Sequence, residues 1–364
     1  MKIKKLTAIL LVLAMAFTLA ACGGGKSTST PAPTAPAQQT PAPTQSSGSS
    51  SGYKLDWKGF TITLAHDNST THPAYKYAEY FKTLVEEMSN GLITVNVFGG
   101  GQLSNGNPNQ TVQLLQDGQV NMAIINGLST PEWDVWKLPF LVSTLEEART
   151  VMEGKGGQYM LDSLKDNGIL GISYMDVGFR VFSAPRSLAN VADAANLKVR
   201  IVNSVAFTAF IEALKAYPVT VSIGELYTAL QQGQADAQEN PITTIYGRAF
   251  YEVNKYITLT NHIWTYYIWA ANLDWFESLP AEAQDIILKC SRKMIEEYNV
   301  AVAEQEQEML QAMKNAGAVI VELTEDQRKA WAEVGRSTHA KLVKDIGEDI
   351  VALFYEDLGL EPNW

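Results

Sequence analysis

From residue 60 onward, short runs of alternating apolar and polar residues take turns with longer runs of helical spacing. Residues 60–65 alternate and predict a strand. Residues 73–88 set Tyr77, Tyr80, Phe81, Leu84, Val85 and Met88 on one helical face and stop at Asn90-Gly91. A strand at 92–98 follows, then a helix at 109–116 ending at Asp117-Gly118, and a short apolar strand at 122–125 of the kind buried in parallel sheets. A helical segment at 145–166 leads to a strand at 169–174. A second round begins near Gly178, with strands at 179–182, 197–201, 218–221 and 235–238 and helices at 205–214, 223–232 and 241–251, and strands at 256–260 and 268–272 close it. Two βα rounds predict two mostly parallel sheets covered by helices, hence two lobes with a cleft between the strand ends. Residues 280–316 form the longest helical pattern, without internal Pro or Gly. At 1.5 Å per residue it would run roughly 50 Å, enough to span both lobes. A strand at 319–322 and helices at 326–344 and 349–358 end the pattern.

The ends and the charge narrow the setting. Lys2, Lys4 and Lys5 precede an apolar run at 6–19, short for a membrane span and right for a signal peptide. Leu19-Ala20-Ala21-Cys22 has the form of a lipoprotein signal, so residues 1–21 are expected to be removed and Cys22 lipidated, anchoring the protein to the membrane. Residues 22–52 consist of Cys22 and a tract of Gly, Ser, Thr, Pro, Ala and Gln with Lys26 its only charge, which predicts a disordered tether. The formal net charge is −11, and losing Lys2, Lys4 and Lys5 makes it −14. No basic footprint for nucleic acid exists. Cys290 is left alone, so no disulfide framework is available within one chain, and its helical neighbours predict a buried thiol.

Candidate chemistry is sparse. Arg200 stands in the apolar run Lys198-Val199-Arg200-Ile201, where a guanidinium needs an ion-pair partner or a cleft to face. The run 225–241 reads as helix, tight turn, buried strand and polar strand end, and Glu239 within it is expected to be structural, a hydrogen-bond partner that orients an arginine. Trp264, Tyr266, Tyr267 and Trp269 form an aromatic cluster; it serves either core or pocket, and Trp264 is the candidate to stack on a ligand. His66, His72, His262 and His339 lack zinc spacing. Gly99-Gly100-Gly101 with Gly106 imitates a phosphate loop, but Asn107 stands where its lysine would be. No Gly-x-Ser-x-Gly elbow occurs. No catalytic set, metal or cofactor is expected.

With these residues in view the chain resembles the substrate-binding proteins of the tripartite ATP-independent periplasmic (TRAP) transporters, of the dicarboxylate-binding type. The resemblance covers nearly all of Tyr53 to Trp364. It is carried by Gly101-Gln102-Leu103, Gln116-Asp117-Gly118, Leu138-Pro139-Phe140, Gly178-Phe179-Arg180, Leu197-Lys198-Val199-Arg200, Phe250-Tyr251-Glu252-Val253, Thr260-Asn261-His262 and above all the run 225–241. It implies an extracytoplasmic receptor that takes a small carboxylate-bearing solute into an inter-lobe cleft and hands it to the TRAP permease subunits. Lobe I would comprise 53–177 plus 266–305 and lobe II 178–265 plus 306–364, closing near Val177-Gly178 and Thr265. It further implies that Arg200 pairs with the substrate carboxylate, with Arg180 and Asn240 completing the anion site. A planar guanidinium suits a carboxylate because it offers two parallel hydrogen bonds. Departures are Asn196, Ala216-Tyr217 and Ala235-Asp236-Ala237, which remove none of these groups. The first-lobe wall departs more: Asp67 falls near a position that is often polar, Asn126 near one that can be acidic, and 106–108 looks inserted. The identity of the acid is therefore not implied. Two alternatives stay open at this point, an extracytoplasmic carboxylate-processing enzyme and the receptor of an ATP-driven importer.

Overall fold

Alternation in Phe60–Ala65 (β1) puts Ile62 and Leu64 fully inside and leaves Thr61 exposed. The same rule shapes Ile93–Phe98 (β2), while Met122–Ile125 (β3) is apolar throughout and buried throughout. The structure is a computed structural model and describes residues 53–364 except Lys54, Thr71 and Asn363. The expected signal peptide, Cys22 and the tether lie outside the described residues.

The expectation of two sheets is corrected. Ile169–Ala184 (β4) is one strand of 16 residues, where sequence reading has two strands at 169–174 and 179–182. Lys198–Ile201 (β5), Tyr217–Thr220 (β6) and Ala237–Pro241 (β7) follow. Tyr256–Asn272 (β8), of 17 residues, likewise fuses two expected strands, and Val319–Val321 (β9) comes last. One mixed nine-stranded sheet results, in the order β2-β1-β3-β8-β4-β7-β5-β6, with β9 on β8. Its flanks are parallel, β1 with β2 and β3, and β5 with β6 and β7. Its middle is the antiparallel pair β4–β8, with register shifts between Gly171 and Ser173, between Asp176 and Gly178 and between Arg180 and Phe182. A strand of this length spans roughly 50 Å, so β4 and β8 run through both halves.

Periodicity broke these strands because polar residues interrupt the apolar runs. The ladder continues because those residues find partners: Thr260 binds His262, and the Trp264 indole donates to Asp176 at 2.7 Å. Backbone pairing tolerates buried polar side chains when they are satisfied.

The first half of the sheet is covered on one face by the helix Pro73–Met88 and the start of the long helix Ala281–Asn315, with Phe81, Val85, Ile286 and Met294 on Ile62, Leu64 and Trp269. Its other face receives Val151, Met160 and Phe354. In the second half Phe207, Phe210 and Trp331 pack on Phe182 and Val199. The long helix ends there, with Leu310 and Met313 beside Val181 and Ile257, so its 35 residues join both halves. Cys290 is buried on that helix, and burial pushes its thiol up to about 12.

Several predicted helices are shorter in fact. The segment 145–166 divides into Leu145–Glu153, Lys155–Ser163 and a 3-10 turn, with Gly154 at the break. The segment 326–344 divides into Glu325–Arg336 and His339–Ile346, and 241–251 into Ile242–Gly247 and Phe250–Val253. A 3-10 helix at Pro131–Lys137 had no periodic signal.

Candidate ligand-binding site

The carboxyl ends of β1, β3 and β5 point toward one region, as strand ends do in open parallel sheets. A cavity of about 740 Å3 opens there, lined by Asp67, Asn68 and His72 after β1, Asn126 after β3, and Arg200, Asn240, Thr243 and Arg248 from the second half. A second cavity of about 240 Å3 adjoins it and shares Asn126, Val202, Asn240, Thr244 and Tyr267, adding Arg180, Trp264 and Tyr266.

Arg200 is 3% exposed. Its Nε donates to the Val221 carbonyl at 2.8 Å, and Nη1 is buried without a hydrogen-bond partner. Burial pulls its pKa down to about 10; Glu239 works against this, and Arg180 and Arg248 add to it. It remains charged at neutral pH, with donors to spare. A buried donor left unmade costs roughly 1–3 kcal/mol, and more when charged. The Thr243 hydroxyl is buried without a partner on the same cavity, and the Thr265 hydroxyl on the smaller one.

Arg180 is placed differently. Its Nε donates to Glu239 Oε2 at 2.5 Å, and Nη2 to Glu239 Oε1 at 2.9 Å, to the Glu239 carbonyl at 2.8 Å and to Asn240 Oδ1 at 3.1 Å. Glu239 is fully buried and also sits 3.2 Å from His262 Nε2. Burial alone would raise the Glu239 carboxyl, but Arg180 and His262 outweigh it and hold the group below its usual range. Burial drives the His262 ring the other way, so it is less basic than usual despite Glu239. A neutral His262 can take the Thr260 proton at Nδ1 (2.7 Å) and donate from Nε2 to Glu239. Glu239 thus compensates Arg180, and Arg200 is the uncompensated cation of the pair.

Asn240 takes up Arg180 with its oxygen and donates to Gln238 Oε1 at 2.5 Å, while Gln238 donates to Ser183 at 2.7 Å. The amide has a second N–H, and the residue borders both cavities. Asn126 is exposed at the end of β3 and also borders both. Asp67 lines the larger cavity, but its carboxylate accepts the Ser104 hydroxyl and, at 2.9 Å to each oxygen, that of Thr111. It therefore ties down the glycine-rich turn. Within that turn a Cβ on Gly101 would lie 2.5 Å from the Gly106 backbone. Trp264 is 2% exposed and stacks on Tyr266 at 5.4 Å, so it belongs to the core with one edge on the smaller cavity.

Glu239, expected as a structural partner that orients an arginine, brackets Arg180 in that way. Sequence reading missed Gln238 in the same bracket, and His72, Thr243, Thr244 and Tyr267 as lining. The polar end of the 225–241 run was the available signal for the bracket. The lining residues gave none, because strand ends and helix starts are polar for many reasons.

A cleft crossed by two continuous strands, with an uncompensated guanidinium inside it, defines a protein built to bind a small anion-bearing molecule between two half-sheets. The match to the model of bacterial extracellular solute-binding protein family 7 spans residues 64–345, and the chain belongs to this family. It is thus an extracytoplasmic binding protein of the TRAP type, from a family of binding proteins and not of enzymes. The C4-dicarboxylate-binding periplasmic protein of Rhodobacter capsulatus is 31% identical over 80% of this chain and 89% of its own. A TRAP periplasmic solute-binding protein from Ochrobactrum anthropi, with its C-terminus bound in the ligand-binding pocket, superposes with TM-score 0.79 at 32% identity, covering 84% of this chain and 96% of that one. The sugar acid binding protein of Advenella mimigardefordensis, in complex with galactonate, gives 0.76 at 27% identity over 84% and 99%.

Proposed function

We propose that this protein captures a small organic acid in the larger cavity and delivers it to the membrane subunits of a TRAP permease. The carboxylate pairs with Arg200, while Arg180, held by Glu239, and Asn240 complete the anion site. The observation that carries this is the Arg200 guanidinium, buried and charged, with Nε on the Val221 carbonyl and Nη1 without a partner among the described residues. Similar proteins named for C4-dicarboxylates and solved with galactonate support a carboxylate ligand. The halves of the sheet act as lobes, 53–177 plus 266–305 and 178–265 plus 306–364, flexing where β4 and β8 lose register at Gly178 and Thr265. Closure follows because the ligand bridges both walls only in the closed state. Lipidated Cys22 would hold the tether at the membrane surface, and two acyl chains anchor stably.

Titration calorimetry of the protein with a panel of organic acids tests this reading. Micromolar to nanomolar binding, roughly 8–12 kcal/mol, is expected for one class of acid. Full affinity in Arg200→Ala would overturn the site. Radiolabelled fatty acid incorporated by the wild type and not by Cys22→Ala is the expected result for the anchor.

A further inference from the structure

The cations of the larger cavity, Arg200 and Arg248, both come from the second half of the sheet. The first-half wall is built from Asn68, Ser69, His72 and Asn126, with Asp67 tied to Ser104 and Thr111. His72 is the N-cap of the helix Pro73–Met88, and its Nδ1 accepts the Ala74 backbone N–H at 3.1 Å. A backbone N–H can only donate, so Nδ1 keeps its lone pair and the proton of the neutral ring sits on Nε2. Burial, with His66 adding to it, pushes the His72 pKa down to about 4. The positive end of the helix acts in the same sense. The ring is neutral at physiological pH, and no protein acceptor among the described residues engages Nε2. Its face is set by an edge contact with Tyr267 at 5.9 Å, and the Tyr267 hydroxyl is fixed on Asn68 at 2.9 Å.

We propose that His72 is a specificity-determining residue of the ligand site, donating its Nε2–H to an uncharged oxygen, a hydroxyl or keto group, at the ligand end remote from the Arg200 carboxylate. This rests on the receptor reading above and adds the substrate class: hydroxy or keto monocarboxylates are favoured over dicarboxylates. A second carboxylate on that wall would meet Asp67 with no first-half cation among the described lining residues, whereas a hydroxyl or keto oxygen needs only the neutral donor.

The test uses the full chain in detergent, wild type and His72→Asn, titrated with galactonate, 4-hydroxybutanoate, butanoate and succinate. Asparagine preserves the cap of the helix but is too short to place a donor where Nε2 lies. Wild type is expected to bind the hydroxy acid about tenfold tighter than its deoxy counterpart, the worth of one good hydrogen bond. His72→Asn is expected to narrow that gap to about threefold or less at an unchanged melting temperature. Unchanged discrimination in His72→Asn, or succinate bound tightest, overturns the inference. Nitrogen-15 NMR of the wild type gives a reading that no folding defect can obscure. A ring protonated at Nε2 and shifted on adding hydroxy acid supports the proposal, and an Nδ1–H tautomer or an unperturbed ring overturns it. If no acid binds at all, the receptor reading falls and this inference with it. If acids bind, Arg200→Ala abolishes binding and His72→Asn is indifferent, this inference alone falls.

Discussion

Two arginines in one site have opposite thermodynamic roles. Arg180 is compensated by a buried carboxylate, and breaking such a pair leaves a buried charge at a cost of about 3–5 kcal/mol. Glu239→Ala is therefore expected to lower the unfolding free energy in urea by that order, with ligand absent. Among the described residues Arg200 has a carbonyl partner and no carboxylate, so its removal relieves a desolvation penalty. Arg200→Ala is expected to keep or raise the melting temperature of the ligand-free protein while losing about 2–5 kcal/mol of binding free energy. Thermal-shift curves with and without the acid separate the two effects, and a destabilised ligand-free Arg200→Ala would contradict this account. Arg200 was legible in sequence because an arginine inside an apolar strand demands explanation. Glu239 was legible as a partner for an arginine, but that the arginine is Arg180 was not, since the two are 59 positions apart and meet through the β4–β7 pairing.

At the scale of elements, the β4–β8 pair is the feature that sequence reading divided. Apolar runs at 169–174 and 179–182 are real, but the polar link between them is bridged by satisfied buried groups and a bulge. Gly178 sits in that bulge at φ 103°, and a Cβ there would lie 2.8 Å from Glu306 Oε2 on the long helix. Gly178→Ala should therefore cost about 1–3 kcal/mol through backbone strain and displacement of Glu306. Chemical denaturation measures this, and a neutral result would show that the bulge relaxes freely. The long helix itself was plain in sequence, because 35 residues without Pro or Gly carry one uninterrupted apolar stripe.

For the molecule as a whole, buried titrating groups set a pH optimum. Burial, with Asp176 adding to it, pushes Glu306 up to about 7 from 4.5. Its folded pKa exceeds its unfolded one, so its contribution is full below about 4.5 and is lost as pH rises through about 7. His66, His72 and His339 are depressed by burial to about 4 from 6.5, so their contribution is full above 6.5 and is lost as pH falls toward 4. Stability is expected to peak between about pH 5 and 7. Glu306→Gln should flatten the alkaline side alone, as read from melting temperatures across pH 4–9; an unchanged profile would remove Glu306 as the cause. Ligand-driven closure is expected to reduce the radius of gyration in small-angle scattering, and equal radii with and without a saturating acid would count against moving lobes.

The order of strands and helices, the long helix and the family resemblance followed from the sequence by itself, since periodicity and local motifs are properties of neighbouring residues. The resemblance also named Arg200, Arg180 and Asn240 together. Only the tertiary structure decided that the two half-sheets are one, that Arg180 is compensated while Arg200 is not, and that His72, capping a helix through Nδ1, borders the cavity. Each of these depends on hydrogen bonds or burial between segments remote in sequence, or on which side of a helix start faces a cavity. No local pattern encodes that geometry.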